Sequence, residues 1–344
     1  MESIENPDID TLYIEPNNSN EYKMYKKAQK GFWTEEEIKS GLLIDKKVFN
    51  SLPESHKKLI INQLSLFIIG DAIINKTINN NLQNRIKDRQ LQTWYNMQKT
   101  IEDIHNICYL MLAQTYVNNN ELTKLLDPTK YYPMLKNKID WYNKWINNNE
   151  YHLLSNEKIN ELKNYISIEN KPPLARQILM NIIMEGLFFQ GSFSIIFWIN
   201  DNKLILPGLA KANEFISRDE STHTAMGVYI YNNRIEHKLT QSEVHELFKQ
   251  AVDIEIDFMK IPLAESLPGM NITLMSDYIK YVADQLLTML KYEKIYNIKE
   301  LPFAFMEKQS MSVRINDFFK DTDISEYSIV ENRNIQDTEI EFGY

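Results

Sequence analysis

Glu102 and His105 repeat the spacing of Glu220 and His223, an acid followed three residues later by an imidazole. On a helix that interval stacks the two side chains one turn apart on the same face. Carboxylate oxygens and imidazole nitrogens presented together ligate metal ions. Two such helices, set against two further acid-bearing helices, can enclose a metal pair inside a four-helix bundle. Acids are abundant in this chain, so the spacing gains its weight from context.

Two other acids supply that context. Leu64, Phe67, Ile68, Asp71 and Ile74 fall on one helical face, and Glu185 shares a face with Phe189 and Phe193. A carboxylate on an apolar stripe is costly unless an arginine, a backbone donor or a metal satisfies it. Each acid alone has that ordinary explanation. Both together, beside two acid–imidazole helices, share a simpler one: a divalent pair that neutralises four carboxylates which would otherwise repel. The set Asp71, Glu102, His105, Glu185, Glu220 and His223 offers oxygen and nitrogen but no thiolate, which suits iron or manganese. His56, His152, His237 and His245 lack such surroundings and read as surface or satisfied histidines.

Tyr109 follows His105 by four residues and Glu102 by seven, on the same face. It reads either as a core tyrosine capped by a carboxylate or as a redox-active phenol beside the metals. For the second role, Phe189, Phe193 and Ile216 would form a dry apolar cage. Cys108 points about 100° away around the helix and reads as a small packing residue.

The elements that must position these groups are helical. Only 9 Gly and 11 Pro punctuate 344 residues, and apolar residues recur at intervals of three and four. Long helices are expected over about 53–82, 88–117, 172–198, 209–234, 240–260 and 272–291, with shorter ones within 121–168. Thr34 before Glu35, Glu36 and Glu37 reads as an N-cap with an acid at N3. The division expected is an irregular segment over 1–30, one all-α, ferritin-like bundle over 31–319, and a polar, mobile C-terminal tail over 320–344. A net charge of −9 argues against nucleic acid as a partner. A single cysteine rules out an internal disulfide and fits a reducing compartment. The N-terminus lacks a secretory pattern, and no uninterrupted apolar run approaches a membrane span.

Over roughly 25–327 the chain resembles the small, radical-generating subunit of class I ribonucleotide reductase, of the eukaryotic and large-DNA-virus type. The matching stretches, in order, are Phe32-Trp33-Thr34, Gly70-Asp71, Glu102-x-x-His105 with Tyr109, Glu185-Gly186-x-Phe188-Phe189-x-Gly191-Ser192-Phe193, Ser217-Arg218-Asp219-Glu220-x-x-His223 and Gly269-Met270-Asn271. The resemblance implies that Asp71, Glu102 and His105 hold one iron and Glu185, Glu220 and His223 the other, manganese being able to share these ligands. It further implies that Glu102 and Glu220 bridge the ions, joined also by an oxo group, and that Tyr109 carries the stable radical. Trp33 and Asp219 match a relay starting at His105, and Tyr327 matches the tail tyrosine that passes the oxidising equivalent to the large subunit. Ile340, Phe342 and Tyr344 are spaced apolar anchors for docking on that subunit, although the final residues depart from the usual ending. A homodimer and a cytoplasmic location follow from the same resemblance. The stretch over 147–172 is longer than the family's usual connection and has no assigned role.

An iron-storage protein or a di-iron oxygenase could use the same bundle. Storage needs neither the Trp33–Asp219 relay nor a tail tyrosine, and Tyr109 argues against the oxygenase. A silent scaffolding subunit would be expected to lose ligands, and all six are present.

Overall fold

The computed structural model describes residues 19–82, 85–147, 173–202, 205–265 and 267–321. Tyr327, Ile340, Phe342, Tyr344 and His152 lie outside them. Among the described residues the secondary structure is helical apart from isolated bridge residues, such as the pair Leu267 and Met270.

Four long helices surround the acids. They are Glu54–Thr77, extended by a π-turn at Ile78–Leu82; Arg89–Tyr116; Leu174–Ile183, continued through a π-turn to Phe189–Asp201; and Pro207–Asn233. Local chemistry sets their starts. The Asp88 carboxylate accepts the Gln90 and Leu91 amides at 2.9 and 3.1 Å, an N-cap that satisfies orphan donors of the first turn. Leu174 follows Pro173, and Pro207 opens its helix, where a missing N–H costs nothing. Further helices at Gln241–Met259 and Ile272–Met289 start at a Thr240–Glu243 capping box and an Asn271 cap and wrap the outside of the bundle.

Glu54–Leu82 and Leu174–Asp201 are long and apolar enough, by length and composition, to cross a bilayer. In the apolar stretch of the second, 94% of the residues are buried within the protein, so its apolarity is that of a core helix.

The N-terminal region differs from the sequence expectation. Asn20–Lys30 is a helix, not an irregular segment, because Ser19 accepts the Tyr22 amide at 3.1 Å and Met24 enters the core. Thr34 makes no side-chain cap. Its carbonyl accepts the Glu37 amide in a tight 3₁₀ turn, Glu35–Ile38, which leads into a helix at Lys39–Ser51 that the periodicity had not marked. That helix carries Asp45, whose buried carboxylate accepts the Gly208 and Leu209 amides at 3.0 and 2.8 Å and the Tyr116 hydroxyl at 2.7 Å. Asp45 therefore caps a helix more than 160 residues away in sequence. The approach is close enough that a methyl at Gly41 would stand 2.4 Å from the Gly208 nitrogen. Met311–Asp321 is a further helix packed on Pro207–Asn233 and runs into the expected tail region.

Candidate metal centre

Each of the four long helices contributes at mid-length. Asp71 projects from Glu54–Thr77, Glu102 and His105 from Arg89–Tyr116, Glu185 from the π-turn Met184–Phe188, and Glu220 and His223 from Pro207–Asn233. All six side chains are buried, none more than 4% exposed. They form two overlapping groups, Asp71–Glu102–His105–Glu220 and Glu102–Glu185–Glu220–His223, in each of which one ligand atom per residue lies within 4.8 Å of the others. Glu102 and Glu220 belong to both.

The polar atoms in this cluster point at one another without bonding. His105 Nδ1 stands 3.1 Å from Glu220 Oε1, 3.4 Å from Glu102 Oε2 and 3.7 Å from Asp71 Oδ2. His223 Nδ1 stands 3.1 Å from Glu102 Oε1 and 3.5 Å from Glu220 Oε2. Both oxygens of Asp71 and of Glu220, Oε2 of Glu102, Nδ1 of His105 and both nitrogens of His223 make no hydrogen bond although buried. Native cores rarely leave so many polar atoms unpaired at one place. Their convergence, and their oxygen and nitrogen character, fit two divalent ions.

The electrostatics agree. Burial first, then the neighbouring carboxylates, push the Asp71 and Glu185 carboxyls well above the usual range. Burial also acts against the charged forms of His105 and His223, yet the surrounding carboxylates raise both imidazoles well above the ordinary histidine value. The cluster thus holds protons in the absence of cations, and ions binding there must displace them.

His105 is braced from outside. A ring that offers Nδ1 to an ion carries its proton on Nε2, and Asp219 Oδ2 lies 3.3 Å from that atom. The same Asp219 oxygen accepts the Trp33 indole N–H at 2.6 Å, and the Trp33 and His105 rings stack with centroids 6.0 Å apart. Although burial opposes it, the donors from His105, Arg218 and Trp33 hold Asp219 below its ordinary pKa, so it stays ionised. Arg218 in turn donates to the Gly31 carbonyl at 2.7 Å, tying the relay to the N-terminal helix.

Tyr109 is 3% exposed and its hydroxyl makes no hydrogen bond. Burial, then the charge of Asp71, raises its pKa well above 10. Its ring stacks on Phe67, with centroids 4.9 Å apart and planes 7° from parallel. Phe67 stacks in turn on Phe193 at 4.9 Å and meets the Phe189 edge at 5.6 Å. Phe189, Phe193 and Ile216 are all fully buried, as the sequence suggested. The direct partner of the phenol is nevertheless Phe67, read from sequence only as part of the Asp71 stripe. A methyl at Gly70 would lie 2.5 Å from the Phe189 ring. Gly70→Ala is expected to destabilise the protein by about 1–3 kcal/mol through overpacking, measured as a lower urea midpoint. An unchanged midpoint would show that the ring can move aside.

Gln98 is the other group that sequence reading passed over. It lies one turn before Glu102 on the ligand face, and that position was the available signal. Its amide donates to Glu185 Oε1 at 2.8 Å and to Glu102 Oε1 at 3.3 Å. Gln98 and His223 also line an open cleft of about 930 Å³ whose rim carries Lys23, Lys26, Lys30, Arg218 and Arg314. Of the remaining residues, Cys108 is buried and its thiol is pushed up to about 12 by that burial, which suits a packing role. His245 Nε2 pairs with the Glu293 carbonyl at 2.8 Å, His56 stacks near Trp198, and His237 is exposed.

The model of the family "Ribonucleotide reductase, small chain" matches residues 13–302. The ribonucleoside-diphosphate reductase small chain of Acanthamoeba polyphaga mimivirus is 33% identical over 311 residues, covering 90% of this chain and 68% of that protein. The small chain of Monkeypox virus is 32% identical over 322 residues, 93% of this chain and 92% of that one. Among solved structures, the ribonucleotide reductase Rnr4 homodimer of Saccharomyces cerevisiae superposes with a TM-score of 0.70 at 25% identity, over 90% of this chain and 91% of its own.

Proposed function

The chain belongs to the ribonucleotide reductase small-chain family, and from that premise we propose that its six converging side chains hold two metal ions which prepare Tyr109 to lose an electron. It is the small subunit of a ribonucleoside-diphosphate reductase, an oxidoreductase whose partner is the large subunit. The observation that carries the two-metal reading is the pair of ligand groups sharing Glu102 and Glu220. Four carboxylates balance two divalent cations, and the donor set accepts iron or manganese.

When bound and reduced, the metal pair supplies with dioxygen the oxidising power that removes an electron from the phenol. The protein's own groups decide where that electron comes from. Tyr109 is dry, stacked and unbonded, so water does not reach it to quench a radical. Its raised pKa keeps the proton on the hydroxyl until the electron leaves. His105, Asp219 and Trp33 then form a hydrogen-bonded line outward from the cluster. Tyr327 continues that line to the large subunit, and Ile340, Phe342 and Tyr344 anchor the tail there. The protein works as a homodimer in the cytoplasm, whose reducing state suits a chain with one cysteine. No contact observed in the site favours iron storage or substrate oxygenation over this role.

The test is metal uptake. Full-length apo-protein given ferrous iron without oxygen is expected to bind two ions per chain, counted by metal analysis after desalting. At a hundredfold excess over the dissociation constants, each bound ion should add about 2.7 kcal/mol of stability, read as a higher melting temperature. Uptake of one ion or none would overturn the reading.

A further inference from the structure

We infer that Gln98 is the positioning residue of the Glu185–His223 half of the metal pair, its amide holding Glu185 and Glu102 in register. The inference rests on the two-metal reading. The two ligand groups are supported differently. On the first, His105 is fixed by Asp219 at 3.3 Å. On the second, neither ring nitrogen of His223 has a hydrogen bond, so among the described residues no outer carboxylate fixes that imidazole. The support comes instead through the carboxylates. Gln98 Nε2 donates to Glu185 Oε1 at 2.8 Å and, more weakly, to Glu102 Oε1 at 3.3 Å. A primary amide carries two hydrogens on its nitrogen, so it serves both acceptors at once. Both acceptors belong to the group containing His223, and Glu185 belongs to that group alone.

The choice of an amide matters chemically. Glu185 sits on a π-turn, where the main chain is locally displaced from α-helical register and its side chain needs an external hold. A lysine or arginine at position 98 would orient the carboxylate but also neutralise it, and would displace a cation. An amide orients without supplying charge, leaving the full negative charge to the ion. Gln98 is only 4% exposed, yet it lines both the open cleft and a small void bounded by Glu185, His223 and Trp94. It therefore stands between the second ligand group and solvent, where a loose carboxylate would otherwise turn outward.

The experiment titrates Mn²⁺ into full-length apo-protein and counts the free ion by electron paramagnetic resonance. The parent is expected to bind two ions. Gln98→Met keeps the side-chain length and removes the donor. It should weaken the second ion about 10- to 100-fold, the usual effect of losing a group that orients a ligand, and the first far less, since that ion feels Gln98 only through the longer contact to the shared Glu102. Met97→Leu, which faces the same cleft without bonding a ligand, should leave both affinities as in the parent. Unchanged affinities in Gln98→Met, equal weakening of both ions, or the same loss in Met97→Leu would each overturn the role of Gln98. A parent that binds fewer than two ions would instead overturn the two-metal reading, and this inference with it. Far-ultraviolet circular dichroism of each apo-protein separates misfolding from a local effect: a Gln98→Met protein with parental helicity and a selectively weakened second ion supports the assignment.

Discussion

Tyr109→Phe, loaded with ferrous iron and exposed to air, is expected to give no tyrosyl radical signal by electron paramagnetic resonance while binding as much metal as the parent. The phenol oxygen is the only atom removed. It makes no hydrogen bond in the structure, so no ligand loses a partner. The ring that remains keeps its parallel stack on Phe67. Deleting an unpaired buried hydroxyl also removes a desolvation cost of about 1–3 kcal/mol, so the variant should melt no lower than the parent and could melt higher. Loss of the signal together with equal or greater stability cannot be ascribed to damage of the fold. A radical that survives in Tyr109→Phe would place it on another residue, and Tyr95 is the first to test. It too is buried, and desolvation, then the charge of Glu185, raises its pKa far above the ordinary value.

Trp33→Phe should do the reverse, keeping the radical and losing turnover with the large subunit to the assay floor. The phenyl ring can still pack near Phe215, whose centroid lies 5.0 Å from that of Trp33. What disappears is the indole N–H that Asp219 Oδ2 accepts at 2.6 Å. Asp219 retains His105 and Arg218, so His105 stays oriented and metal binding is preserved. The expected cost in stability is about 1.5–3 kcal/mol, that of a buried hydrogen bond to a charged acceptor. Tyr327→Phe should match this behaviour, since it lies on the same proposed route. Normal turnover in Trp33→Phe with a full radical would remove the indole from the route; normal turnover in Tyr327→Phe alone would leave Trp33 on it and exclude the tail tyrosine.

Much of the centre was legible before any fold was known, because helical periodicity reports which residues share a face. Glu102, His105 and Tyr109 had to lie together, and Asp71 and Glu185 had to sit on apolar stripes. The same periodicity placed the four long helices to within a few residues of their observed ends. The Thr34 signal failed for a physical reason: the backbone there tightens into a 3₁₀ turn, which uses the threonine carbonyl and leaves its hydroxyl unused. Asn20–Lys30 was missed because its apolar face is narrow, with Met24 its one fully buried hydrophobic side chain, so composition outweighed periodicity.

By itself, then, the sequence determined the ligand types, their placement on four helices and the neighbour relations within each helix, since all of these follow from a repeat of 3.6 residues. Which faces meet, and at what axial offset, only the tertiary structure decided. That offset makes Glu102 and Glu220 common to both ligand groups, brings Phe67 rather than Phe189 against the phenol, and aims the Gln98 amide at a carboxylate 87 residues away. The reason is that periodicity fixes angles about one helix axis but carries nothing about the rotation or sliding of one helix against another. Those are set by the packing of whole side-chain surfaces, with long-range contacts such as Asp45 on the start of Pro207–Asn233 locking the result.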